Sequence, residues 1–213
     1  MKAVIYTKTG GLEVVKQQSV QMPLPNDNQV LVEVKACALN IGDYQRFQTK
    51  NEKIPVSTYI TNNLMGYVGK PLGAEISGIV TKTGKNVTHV KAGDAVFGKT
   101  AGTAPVGGIA EYAVMDADRV CLKPDNFSFE EASAVSISFD TALGAFFTSH
   151  NFTYYVGAFT KQPDYLQYAK KLAEAGKLHT YIDKVYSVNK TTEAIQYLLS
   201  SHASGKVVIK MDF

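Results

Sequence analysis

Between residues 29 and 38 the chain alternates Val30, Val32, Val34 and Ala36 with Leu31, Glu33, Lys35 and Cys37. A period of two sets one face of a β-strand against a core. Short apolar runs at residues 3–6, 12–15, 76–81, 95–98, 109–114 and 120–122 predict further strands. Gly10-Gly11, residues 23–28, residues 84–86 and Gly93-Asp94 lie between them, and each can supply a turn. Short strands divided by turn chemistry predict an all-β unit over roughly the first 125 residues. Residues 45–69 show no clear period and read as a long loop with helical turns, a feature that in compact domains often carries function.

The pattern changes after Asp125. Ser128-Phe-Glu-Glu131 fits a capping box at the head of a helix, because the Ser hydroxyl and the Glu carboxylate each satisfy an orphan backbone N–H. A second helix starts at Pro163, with Leu166, Ala169, Leu172 and Ala173 on one face and Gly176 as its stop. In a third, Ala194, Ile195, Leu198 and Leu199 form the apolar face and Gly205 closes it. Residues 153–159, 181–188 and 206–211 read as strands. The fold class is therefore mainly β with α.

Composition narrows this picture. With 45% apolar and 19% charged residues the chain is an ordinary globular protein. Before Thr148 stand 14 basic and 14 acidic residues, and from there on 8 and 5, so the whole excess of +3 lies in the C-terminal third. Its lysines are scattered and make no stripe that phosphate contacts would need, which argues against nucleic acid. Apolar runs are too short for a signal segment or a membrane span, and a cytoplasmic protein is expected. Cys37 and Cys121 lie in strand-like contexts and are expected as buried free thiols. The sequons at Asn86, Asn126, Asn151 and Asn189 are then chance matches.

The sequence offers few candidates for chemistry. His89, His150, His179 and His202 form no pair at metal-ligand spacing, and neither cysteine belongs to a C-x-x-C. The glycine-rich stretches 66–78 and 98–108 spell neither G-x-G-x-x-G nor a phosphate-binding loop, and both run into strand-like sequence. They read as β-turns and a hairpin loop. No G-x-S-x-G elbow is present. What remains is Asn40, Asp43, Tyr44 and Arg46, directly after the alternating strand. Such a group either points into a cleft or makes a local turn or helix cap.

Five ordered segments resemble the medium-chain dehydrogenase/reductase superfamily. Lys2-Ala-Val, Ala38-Leu-Asn-Ile-Gly-Asp43, Leu72-Gly-Ala-Glu-Ile-Ser-Gly-Ile-Val80, Val90-Lys-Ala-Gly-Asp-Ala-Val-Phe-Gly98 and Gly107-Gly-Ile-Ala-Glu-Tyr112 are similar to its GroES-like β-barrel catalytic domain. The branch most resembled is the quinone oxidoreductases, or zeta-crystallin-like proteins. Residues 132–143 resemble the helical lead-in to the nucleotide-binding domain. Leu172–Leu178, Ile182–Val188, Thr192–Ile195 and Gly205–Ile209 resemble the C-terminal return to the catalytic domain. The resemblance implies residues 1–147 as catalytic domain and lead-in, and 148–213 as a return segment of helices and strands on the same domain.

Two departures qualify what is implied. Zinc-dependent members carry a cysteine where Asn40 stands and Gly-His-Glu where Gly73-Ala74-Glu75 stands. The resemblance thus implies no catalytic zinc, and the structural-zinc lobe has no counterpart. The family also continues after residue 147 into a Rossmann domain, which takes on the order of 100 residues. This chain passes within a few residues to a segment resembling the end of that domain, so no complete Rossmann domain is expected. By resemblance the chain is the substrate side of an NADPH-dependent quinone or enone oxidoreductase. Asn40, Asp43 and Tyr44 are its candidate catalytic residues, and Thr141 and Lys206 its cofactor-facing positions. Alone it is expected to be inactive, because the part that holds NADPH is missing. The alternatives are a non-catalytic binding or scaffold domain, or one part of an enzyme completed by another chain. Loss of that domain would bare apolar surface around Phe146, Phe147, Phe152, Tyr154 and Tyr155, which points to a homodimer.

Overall fold

The computed structural model describes residues 1–48, 68–100, 107–149 and 163–213. Strands β1 (Lys2–Tyr6) and β2 (Val15–Ser19) pair antiparallel. Bridges Ala3↔Ala110 and Ile5↔Pro71 tie that pair to the rest. The larger sheet is built on β3 (Gln29–Ala38), which pairs along one edge with β4 (Glu75–Thr83), and β5 (Ala95–Lys99) then pairs with β4. The other edge of β3 is divided. Its first half, Gln29–Glu33, takes β6 (Tyr112–Asp116), and β7 (Val120–Leu122) continues the sheet beyond β5. Its last residues, Ala36–Ala38, take the C-terminal strand β9 (Lys206–Lys210), on which β8 (Ile182–Ser187) lies parallel. That is the one parallel pair of strands among the described residues. They contain no doubly wound parallel sheet.

Among the described residues five helices flank the sheet: α1 (Ile41–Gln45), α2 (Phe129–Ser133), α3 (Ser136–Ser149), α4 (Pro163–Glu174) and α5 (Thr191–Leu199). The main core gathers Tyr6, Phe47, Leu72, Ile76, Ile109, Met115, Ile195 and Ile209. Ile195 and Ile209 come from the last helix and strand, so the C-terminal segment is part of this core. A second cluster sets Leu166 and Ala169 of α4 against Phe97, Cys121 and Phe127. Full burial of a side chain such as Leu166 removes apolar area worth about 1.5–3 kcal/mol from water.

Several expectations shift in register or kind. Residues 12–15 make a 3-10 turn, Leu12–Val14, and the strand is the polar stretch after it. β2 needs no apolar alternation because four of its five side chains are exposed and β1 alone supplies its ladder. Residues 109–114 straddle two elements: Ala110 bridges to Ala3, and the ladder with β3 starts at Tyr112. β3 is buried on both faces over most of its length, not on one, and at its end Ala36 and Ala38 pack against Phe129 of α2 and Ala134. Helix α5 ends at Leu199, with Ser200 as its cap and Ser201 at φ 61°, well before Gly205. The expected capping box at Ser128 is formed in full, and Cys37 and Cys121 are buried free thiols. The strand expected at 153–159 and residues 49–67 of the loop expected at 45–69 lie outside the described residues, as do the side chains of the aromatic group at 146–155.

Candidate functional site

The alternating strand β3 ends at Ala38, and the chain turns at Asn40 into the single turn α1. Asn40 has extended dihedrals, and its backbone N–H donates to Asp43 Oδ2 at 2.9 Å, closing a capping box. The side-chain amide of Asn40 faces the C-terminal strand. Its Oδ1 accepts from Lys206 Nζ at 2.9 Å, across 166 residues of sequence. The same ammonium donates to Glu75 Oε1 at 2.5 Å.

Glu75 opens β4 with its side chain fully buried. Its other oxygen, Oε2, accepts the backbone N–H of Ile137 at 2.6 Å and the Ser136 hydroxyl at 3.1 Å. These donors belong to the first turn of α3, where unpaired N–H groups and the helix dipole favour a carboxylate. One buried carboxylate therefore joins β4, the head of α3 and β9. Burial of a charge is tolerated only when it is paired and hydrogen-bonded, and here both conditions are met.

Above this junction lies a cleft of about 340 Å³ lined by Leu39, Asn40, Ile41, Ile137, Thr141 and Lys206, with Ser138, Leu198, Gly205 and Val207 completing its wall. A smaller lobe of about 190 Å³ adjoins it through Ser138 and Lys206, between α3 and residues 178–181. Of the sequence-predicted residues, Asn40, Thr141 and Lys206 thus meet in one cleft. Asp43 and Tyr44 do not line it. Asp43 is buried under α1, and Tyr44 packs edge-on against Phe47 at 5.3 Å between ring centres. For these two the geometry matches the local-cap alternative and core packing.

Asp43 nevertheless has an unusual environment. Its Oδ1 is buried without a hydrogen-bond partner, and burial raises its pKa, against the opposing pull of Arg46 and the Asn40 N–H. Burial also pushes the Cys37 thiol well up, with Asp43 and Glu75 adding to it, and raises Cys121 to about 11. An acid whose folded pKa lies above its unfolded value holds its proton more tightly in the native state. Its contribution to stability is complete below the unfolded pKa and is lost as pH rises through the folded one. Asp43→Asn keeps an oxygen for the Asn40 N–H and removes the ionisation. Its melting temperature should rise relative to the parent as pH increases from the ordinary aspartate range; a pH-independent difference would show that Asp43 ionises without cost.

Glu75, Ser136 and Ile137 join the elements beneath the cleft, Glu75 and Ser136 without lining it, and the sequence pattern did not single them out. A second buried ion pair lies behind the cleft wall: Lys99 Nζ meets Asp140 Oδ2 at 2.5 Å, with side chains 10% and 3% exposed, and the ammonium sits 5.0 Å from the Tyr165 ring centre. It ties α3 to β5 one residue before Thr141.

A dinucleotide needs backbone N–H groups at a glycine-rich turn from strand to helix. Gly98 and Gly107, at the two ends of the 98–108 stretch, answer a different need. A Cβ on Gly98 would lie 2.0 Å from the Arg119 carbonyl, and one on Gly107 would lie 2.1 Å from the Pro71 carbonyl. Both glycines let two stretches of this chain pass each other. Among the described residues no group of three or more His, Cys, Asp or Glu could hold a metal ion. No described helix is long and apolar enough to cross a membrane.

Two family models match the chain: the alcohol dehydrogenase GroES-like domain over residues 26–125, and the zinc-binding dehydrogenase over residues 94–209, more than half of its length. It is 38% identical over 146 residues to a quinone oxidoreductase of Sus scrofa, covering 67% of this chain and 39% of the relative. It is 34% identical to a 2-methylene-furan-3-one reductase of Solanum lycopersicum, covering 67% and 36%. The chain thus spans about two fifths of the length of the curated relatives it matches. The structure of a quinone oxidoreductase from Coxiella burnetii superposes with a TM-score of 0.77 at 19% identity, covering 99% of both chains. At that identity the likeness concerns the fold.

Proposed function

Since the chain belongs to the medium-chain dehydrogenase/reductase superfamily, on its quinone oxidoreductase side, we propose that its cleft receives a small uncharged carbonyl compound of the quinone or enone class. We further propose that the chain by itself holds NADPH too weakly to reduce it. One observation carries the first part: Asn40, Thr141 and Lys206, drawn from three distant segments, line a single cleft together with the apolar Leu39, Ile41, Ile137, Leu198 and Val207. A mostly apolar hollow with a few convergent polar groups is what small-molecule sites use.

The second part rests on the fit of a dinucleotide to these residues. NADPH brings a pyrophosphate and an adenosine ribose, groups that dinucleotide folds hold by helix N-terminal amides and a glycine loop. Among the described residues no glycine turn leads from a strand into a helix, the first-turn amide of Ile137 is taken by Glu75, and Lys206, the cation that lines the cleft, already serves Glu75 and Asn40. The pyrophosphate and the adenosine ribose therefore find no dedicated partner among the described residues. What the chain's own residues supply is placement. Lys206 and Thr141 present donors to a carbonyl oxygen, while Ile41, Ile137 and Leu198 give the cleft an apolar face. With Asn40 and Ala74 in place of a thiolate and an imidazole, no zinc is required.

Titration with 2-cyclohexenone, followed by backbone amide shifts, tests the first part. The largest shifts should fall at Ile137, Ser138, Thr141 and Lys206, and Thr141→Leu, which fills the cleft, should weaken binding roughly tenfold, the worth of one hydrogen bond plus a steric clash. Shifts spread evenly over the surface would contradict the assignment.

A further inference from the structure

We propose that Glu75 sets the charge of the ligand the cleft accepts: its buried carboxylate cancels Lys206, so the cleft selects uncharged carbonyl compounds over carboxylates and phosphates of the same shape. The inference rests on the carbonyl-binding cleft proposed above and deepens it.

Among the described residues lining the cleft, Lys206 is the one that carries a charge. Its side chain is 19% exposed and also lines the smaller lobe. Left alone, such an ammonium at the neck of two apolar hollows would be an anion site. It is not alone. Glu75 Oε1 lies 2.5 Å behind it, fully buried, and is fixed from its other side by two donors at the head of α3. An anion entering the cleft meets the ammonium and, just beyond it, a carboxylate that the buried surroundings screen little. Attraction and repulsion nearly cancel, while the anion must still shed its water.

An uncharged carbonyl faces no such opposition. A lysine ammonium has three N–H donors; Glu75 and Asn40 take two, and the third is left for an acceptor in the cleft. The other charged or titratable groups around the junction do not alter this balance. Burial raises the pKa values of Cys37 and Asp43 while Arg46 pulls that of Asp43 down, and none of the three lines the cleft.

Benzamide and benzoate, which share a shape and differ in charge, test the inference by calorimetry on the whole chain. The parent protein should bind benzamide roughly tenfold more tightly than benzoate, and Glu75→Gln should raise benzoate affinity roughly tenfold while changing benzamide by less than about twofold, the scale of a single charge-assisted hydrogen bond. Equal binding of both probes by the parent, or benzoate preferred with an affinity that falls as salt is added, overturns the inference and leaves the cleft reading standing. It does so without the variant, should Glu75→Gln fail to fold. If neither probe binds, the carbonyl-binding cleft itself is refuted and the inference falls with it.

Discussion

Lys206→Met should be among the most destabilising single substitutions in the chain, lowering the unfolding free energy by about 3–5 kcal/mol. It removes the ammonium from a carboxylate with no exposed surface, and a buried charge deprived of its partner must stay uncompensated or take up a proton. The whole chain should respond, in a single transition. β9 sits directly against β3 and carries Ile209 into the main core, and α4 packs on Phe97 and Phe127, so the described C-terminal residues share their cores with the rest of the chain. Glu75→Gln should cost less, because the amide keeps an acceptor for the Ile137 N–H and the freed ammonium is partly solvated. Urea unfolding of the two variants decides this: equal and small effects, under about 1 kcal/mol as for a surface pair, would show that the junction is solvated.

A loss of similar kind is expected at Lys99→Met, about 3 kcal/mol for a buried pair broken on one side. Lys99 and Asp140 lie at 10% and 3% exposure, behind the wall that carries Thr141. The double variant Lys99→Met with Asp140→Leu should recover most of the loss, since apolar replacement of both partners leaves no orphaned charge. Additive losses in the double variant would mean that the two residues contribute independently. Because the pair fixes α3 one residue before Thr141, Lys99→Met should also weaken cyclohexenone binding, although neither residue lines the cleft.

Much of the fold is legible in the sequence because one physical signal dominates each element. The Val30, Val32, Val34 alternation marks β3, and the Ser128–Glu131 box marks the start of α2, since local chemistry suffices for both. β2 is illegible for the opposite reason. Its residues Val15–Ser19 are mostly polar and exposed, and the ladder to β1 alone makes them a strand. The end of α5 escapes a glycine-based reading because Ser201 adopts the left-handed conformation without a glycine. Within the site, Asn40, Thr141 and Lys206 came from the family resemblance. Composition and periodicity leave Asn40 open between a cap and a site; it caps α1 and also lines the cleft. Glu75 carries no such signal, since an acidic residue at a strand end ordinarily points to solvent. What buries it, a lysine 131 residues away and a helix 62 residues away, is tertiary and leaves no local trace.

That the chain keeps a substrate-side cleft without the means to hold a dinucleotide is tested most directly by calorimetric titration with NADPH, with NADH as comparison. Contacts from Asn40, Thr141 and Lys206, each worth about 1 kcal/mol or somewhat more, barely offset the ~4 kcal/mol or more of rigid-body freedom lost on association. The dissociation constant should lie in the millimolar range or weaker, alike for both nucleotides, with no NADPH-dependent reduction of a model quinone. A micromolar constant for NADPH accompanied by quinone reduction would contradict it.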